Sequence, residues 1–169
     1  MGKHFTVKVQ PTIAASKQKL GAFTNHDVIF NWTDFEVPRG SNRLVGVTTL
    51  IRGTDGARQE KYLGVHFAKT INGNAPGEIG TIHATAGNGG YQNHLIGAVR
   101  IDPADYKDGL DIMAVATSGH GAGTQQTPAQ ILEGELGTGT RATHDKIYMT
   151  ATGGAFNFAS TVQVGRCSS

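Results

Sequence analysis

The stretch RLVGVTTLIRGTDGARQEKYLGVHFAK, Arg43 to Lys69, decides the fold class. In its second limb Lys61, Leu63, Val65, Phe67 and Lys69 share one face, and Glu60, Tyr62, Gly64, His66 and Ala68 share the other. Period-two alternation with one apolar face marks a half-buried strand. The first limb puts Val45, Val47 and Ile51 on one face and Leu44, Thr48 and Leu50 on the other, as a strand buried on both sides would. Between the limbs stands Gly53-Thr54-Asp55-Gly56, and Asp-Gly tolerates the positive φ of a tight turn. The expectation is the central hairpin of an all-β domain.

Working outward, His4 to Gln10 alternates Phe5, Val7 and Val9 with polar residues, and Pro11, which cannot donate to a ladder, ends that strand. Residues 12–26 read as a crossing loop. Asp27 to Thr33 places Val28, Phe30 and Trp32 on one face, and Phe35 to Arg39 continues it as an edge segment. Asn72 to Gly77 is a dense turn signal, followed by strands over Ile79 to Ala86 and His94 to Asp102. Asp102-Pro103-Ala104-Asp105-Tyr106 carries N-cap and proline chemistry for a single helical turn. Leu110 to Thr117, Lys146 to Thr152 and Ala155 to Val164 complete the strands, the last two joined by Gly153-Gly154. The expected core contains Phe30, Trp32, Leu63, Val65, Phe67, Val99, Ile112 and Phe158.

These elements predict one domain over residues 1–169, an antiparallel β-sandwich or jelly roll of about 8–10 strands. The exception is a long Gly/Thr-rich loop over residues 118–144, whose one apolar cluster is Ile131, Leu132 and Leu136. Such a loop is either an arm that docks on a neighbour or a flap folded over its own sandwich. Glycines following an apolar residue at Gly46, Gly64, Gly80 and Gly97 forfeit side-chain packing, which points to close backbone approach or bends.

Glycine, 24 of 169 residues, is about twice as frequent as in average proteins. The net charge of +2, without any Lys/Arg run, argues against nucleic acid as a partner. No apolar run reaches the length of a membrane span, and the first residues lack the apolar core of a signal peptide. Gly2 with Thr6 matches the myristoylation pattern, but Thr6 belongs to the polar face of the first expected strand. The single cysteine, Cys167, fits synthesis in a reducing cytoplasm.

No motif names a reaction. His66 and His83 lie on separate expected strands, each on the polar face, where they could meet across a sheet; no histidine pair has the two-residue spacing of a β-barrel metal site. Asp102, Asp105, Asp108 and Asp111 crowd one turn as calcium ligands would, but their spacing departs from the hand-type loop, so turn capping is the expected role. Gly119-His120-Gly121-Ala122-Gly123 lacks the lysine of a phosphate loop. The expectation is therefore a protein that is not an enzyme and uses no cofactor. Tyr62, Tyr91 and Tyr106 are candidate surface aromatics for a carbohydrate or receptor platform, and Ile131, Leu132 and Leu136 are candidates for subunit or partner contact.

Four stretches carry a family resemblance: NWTDFEVPRG (Asn31 to Gly40), RLVGVTTLIRGTDGA (Arg43 to Ala57), FAKTINGNAPGEIGTIHATA (Phe67 to Ala86) and HLIGAVRIDPADYKDGLDIMAVATSG (His94 to Gly119). Together they resemble a structural protein family of tailed phages of the marine cyanobacterial-phage type, over roughly residues 4–119. The resemblance implies a virion protein made in the host cytoplasm: a capsid decoration (cement) protein, or a tail or neck component. Its partners would be copies of itself and other virion proteins, such as the major capsid protein, with neither nucleic acid nor membrane involved. No site residues carry over.

Overall fold

The computed structural model of the chain describes residues 4–18, 21–52, 58–107, 113–118 and 130–157. Ile112, Phe158, Cys167, the Gly53–Gly56 turn, the Gly119–Gly123 run and most of the expected last strand lie outside the described residues. The fold is all-β and sandwich-like. A four-stranded antiparallel sheet has the order β1 (Asp27–Pro38), β9 (His144–Gly153), β4 (Leu63–Lys69), β5 (Leu95–Ile101). Facing it are a three-stranded sheet, β3 (Thr48–Arg52), β7 (Met113–Thr117), β6 (Tyr106–Lys107), and a short ribbon, β2 (Asn42–Arg43) with β8 (Ile131–Leu132). A four-residue helix, α1 (Ala15–Gln18), follows the N-terminal segment.

The core is the seam between these sheets. Leu63, Val65 and Phe67 of β4 align with Ile101, Val99 and Gly97 of β5 and with Gly153, Ala151 and Met149 of β9, so one face of three strands points the same way. Opposite lie Ile51, Ala114, Ala116 and Tyr106, all buried in the same cluster. The two alanines leave room for the aromatic side chains of the facing sheet, as interdigitated packing requires. Phe35 meets Phe67 edge-on, with ring centroids 6.4 Å apart. Phe30, Leu63, Val65, Phe67 and Val99 are buried as the alternation predicts.

Three sequence expectations fail for identifiable reasons. The Arg43–Lys69 stretch is not a hairpin: β4 already has β9 and β5 on its two edges, so β3 joins the opposite sheet and pairs with β7. The alternation in residues 4–10 builds no strand; the segment runs extended without a ladder partner among the described residues, and Phe5 is 47% exposed. Residues 79–86 form only isolated bridges, because His83 takes a positive φ of 69° and breaks the extension. They run instead along the start of β1, where the Val28 amide donates to the Ala84 carbonyl and the His83 amide to the Val28 carbonyl.

Trp32 also leaves the core. β1 shifts register between Val28 and Phe30 and again before Thr33, so the period-two phase that ties Trp32 to Phe30 is broken. Its indole is half-buried at the surface, donating to the Gly77 carbonyl at 2.8 Å and lying beside Tyr91. The same bulges let Val28, Ile29 and Phe30 all be buried in succession.

Turn chemistry is followed closely. Asn72 and Gly73 both take positive φ, 51° and 76°, between reciprocal Ile71 and Asn74 backbone bonds, which is the geometry of an Asn-Gly hairpin turn. Pro103–Asp105 forms a single 3-10 turn whose Asp102/Asp105 capping box includes the Asp102 amide donating to Asp105 Oδ2 at 2.9 Å.

Of the four apolar-glycine pairs, Gly97 has the clearest cause. β4 and β5 slip by a residue at this level, and a Cβ on Gly97 would sit 1.2 Å from Gln130 Nε2. Gln130 donates to the Ile96 carbonyl at 2.7 Å and so links the ribbon's entry to β5.

Truncating Phe67 to Ala empties the centre of this seam and should cost about 3–5 kcal/mol in urea denaturation. Gly97→Ala, at φ 156°, should be destabilising through both backbone strain and displacement of the Gln130 amide. A double-mutant cycle with Gln130→Ala should show a coupling of about 1 kcal/mol, the worth of the displaced hydrogen bond. Simple additivity would mean that Gln130 does not occupy this seat.

Candidate functional site

The two-stranded ribbon presents apolar side chains to solvent. Arg43 pairs with Ile131 and Asn42 with Leu132, so Arg43 and Ile131 share the outer face, while Val45 lies just past the strand. Ile131 is 50% and Val45 58% exposed, while Leu132, on the inner face, is buried in the core. Leu132 is therefore removed from the candidate contact set by the strand's alternation. Leu136, 72% exposed, lies in the turn that follows.

The described part of the long loop folds over its own sandwich. The Gly73 amide donates to Glu135, the Gly137 amide to Asp145 Oδ1 and the Lys146 amide to Thr138 Oγ1. Glu36 accepts from the Thr140 amide and hydroxyl, bonds that hold its carboxyl below the usual range. Gly139 passes so close to β9 that a Cβ would lie 2.3 Å from the His144 carbonyl oxygen. Residues 119–129 lie outside the described residues.

The three tyrosines have separate environments. Tyr106 is buried, donates its hydroxyl to the Lys61 carbonyl at 2.7 Å, and is not a surface aromatic. Burial, reinforced by Glu60 and Asp105, pushes its phenol well above the ordinary value. Its place on β6 opposite Ala116 turns it into the seam. Tyr62 is half-buried beneath the Arg100 guanidinium, 4.8 Å from the ring centre, and its hydroxyl lies 3.2 Å from His26 Nδ1. Arg100 in turn donates to Asp102 at 2.6 Å. That chain of contacts links the beginnings of β1 and β4 with the end of β5. Tyr91 stacks obliquely near Trp32, centroids 6.0 Å apart, and in this half-buried pair Tyr91 is at the surface as expected, whereas period-two reasoning placed Trp32 in the core.

His66 and His83 do not converge. His83 lies against Phe23 and contacts the Gly21 carbonyl, whereas His66 Nε2 lies 3.2 Å from Thr152 Oγ1. No group of three or more His, Cys, Asp or Glu side chains that could hold a metal occurs among the described residues. Of the four aspartates considered for calcium, Asp102 is bound to Arg100 and Asp105 serves the capping box; Asp108 and Asp111 lie outside the described residues. No helix of the described residues is long and apolar enough to cross a membrane.

A cavity of about 590 Å³ lies at the open side of the sandwich. Its depth is formed by buried Phe30, Val37, Ile51, Leu63, Val65 and Phe67. The extended N-terminal segment supplies one wall through Phe5, Val7 and Val9. Sequence patterning showed those residues as apolar but could not show that they border a space.

Burial lowers the His66 imidazole below its ordinary value of 6.5. The unfolded chain therefore binds this proton at higher pH than the folded one, so the associated stability is present above about pH 6.5 and is lost as pH falls. Wild type should lose more stability than His66→Gln between about pH 7 and about pH 5.5 in urea titrations. Equal losses would show that the ring titrates as freely in the folded chain as in the unfolded one.

No protein-family model matches the chain, and neither a curated protein nor a solved structure matches it.

Proposed function

We propose that this chain is a phage virion structural protein, a capsid decoration (cement) protein that stabilises the particle through protein–protein contacts. The observation that carries this reading is the set of exposed apolar side chains at the ribbon: Ile131 on its outer face, Val45 two residues past Arg43, and Leu136 in the well-tied turn that follows. Neighbouring exposed apolar side chains on a rigid element are what a partner desolvates on docking. The four stretches that resemble phage structural proteins supply the kind of partner: the major capsid protein and further copies of this chain, with a tail or neck position as the alternative location.

A second reading, a carbohydrate or receptor-binding module of the virion, has one specific observation behind it. Trp32 and Tyr91 form a half-buried ring pair of the kind that sugars stack on.

The two readings separate by mutation. Ile131→Asp combined with Leu136→Asp places two carboxylates on exposed positions, so the isolated chain should keep its β-type circular dichroism. Its binding to particles lacking this protein should fall below detection, because a charge buried unpaired in a contact costs several kcal/mol. Retention of particle binding by the double variant would remove the ribbon from the contact. Saturable binding on a glycan array, lost in Tyr91→Ala and indifferent to the ribbon changes, would establish the second reading instead.

A further inference from the structure

We infer that the open-sided cavity is a binding site for a single-chain anionic amphiphile of the fatty-acid class, with the hydrocarbon inside and the carboxylate at Arg43. This inference does not depend on the virion reading, although Val45 borders the cavity as well.

The size comes first. A space of about 590 Å³ lies within the range of small-molecule sites, roughly 300–1,000 Å³. Protein interiors pack like organic crystals, so side chains around an empty space this large forgo dispersion contacts they would otherwise make. Apolar cavities stay dry and take up apolar guests. The depth of this one is bordered by aliphatic and phenyl groups; its polar members are the exposed His4, Thr6, Arg43 and Thr48 and the half-buried Asn42 and Thr49.

The charge of the guest follows from the rim. Among the described residues neither aspartate nor glutamate borders the cavity, and the one permanent cation there is Arg43. Arg43 is exposed, and no carboxylate among the described residues pairs with it. A guanidinium presents a fork that matches a carboxylate, so an amphiphile with its chain in the cavity and its head outside meets complementary groups at both ends. Access is built in as well. The wall formed by residues 4–10 has no ladder partner among the described residues, so displacing it to admit a chain breaks no described sheet hydrogen bonds.

The test uses the purified full-length chain after delipidation. cis-Parinaric acid, a fluorescent fatty acid, should bind saturably with one site per chain and be displaced by palmitate. Arg43→Glu should weaken palmitate about tenfold, the worth of one charge-assisted contact at an exposed position, while leaving the uncharged probe N-phenyl-1-naphthylamine unaffected. Val47→Trp, which fills the cavity from a half-buried connection, should abolish binding of both probes; Arg43→Glu keeps the inference testable if that variant fails to fold. Absence of saturable probe binding in the full chain would overturn the inference, since the cavity would then be closed by the chain itself. Binding of the uncharged probe without competition by palmitate would overturn the anionic head. Probe binding that disappears as the chain self-associates would assign the cavity to a second copy.

Discussion

β4 must satisfy neighbours on all four sides, and the rest of the fold is arranged to supply them. Its edges pair with β9 and β5, its inner face carries Leu63, Val65 and Phe67 into the seam, and its outer face is short of space. There Gly64 is buried, and a Cβ on it would stand 3.3 Å from Thr152 Oγ1 and 3.4 Å from the His66 ring. A strand with this many obligations cannot also pair with the segment preceding it. That exclusion sends β3 across the core, turns a local hairpin into an inter-sheet connection, and so creates the second layer of the sandwich.

The alternation within each strand was legible because it is a local property. Leu63, Val65 and Phe67 share a buried face, and the Asn72-Gly73 and Asp102-Pro103 signals give the turns their chemistry demands. The choice of partner was not legible, since it is settled by competition among strands distant in sequence. Bulges were equally hidden: nothing in VIFNW announces two register shifts, yet they move Trp32 from the core to a surface pair with Tyr91. The same lesson applies at His4–Gln10, where a strand-like pattern lies beside a cavity instead of in a ladder.

The candidate site was legible in part, and the errors are of one kind. Ile131 and Leu132 were grouped because both are apolar and adjacent in a polar loop. Once Ile131–Leu132 is a strand, adjacency means opposite faces, so one is half exposed and the other buried. Tyr106 is a candidate surface ring in the sequence, like Tyr62 and Tyr91. Its pairing opposite Ala116, a residue with space above it, drew the ring inward. In both cases a two-residue strand, too short to show a period, decided the outcome.

The two sides of the sandwich differ in how completely they are closed. On the β1 side, residues 82–86 donate to and accept from the start of the strand, leaving little of that stretch for an added chain. The opposite corner is built from shorter pieces: two-residue strands, an N-terminal segment without a ladder partner among the described residues, and the connection through Val45 and Val47. Short strands bury little and constrain little, so exposed Ile131 and Val45 and the cavity rim occur together there as consequences of one cause. Arg43 belongs to both features, on the ribbon's outer face and at the rim. A partner seated on the ribbon, as proposed, would meet the same guanidinium that borders the cavity.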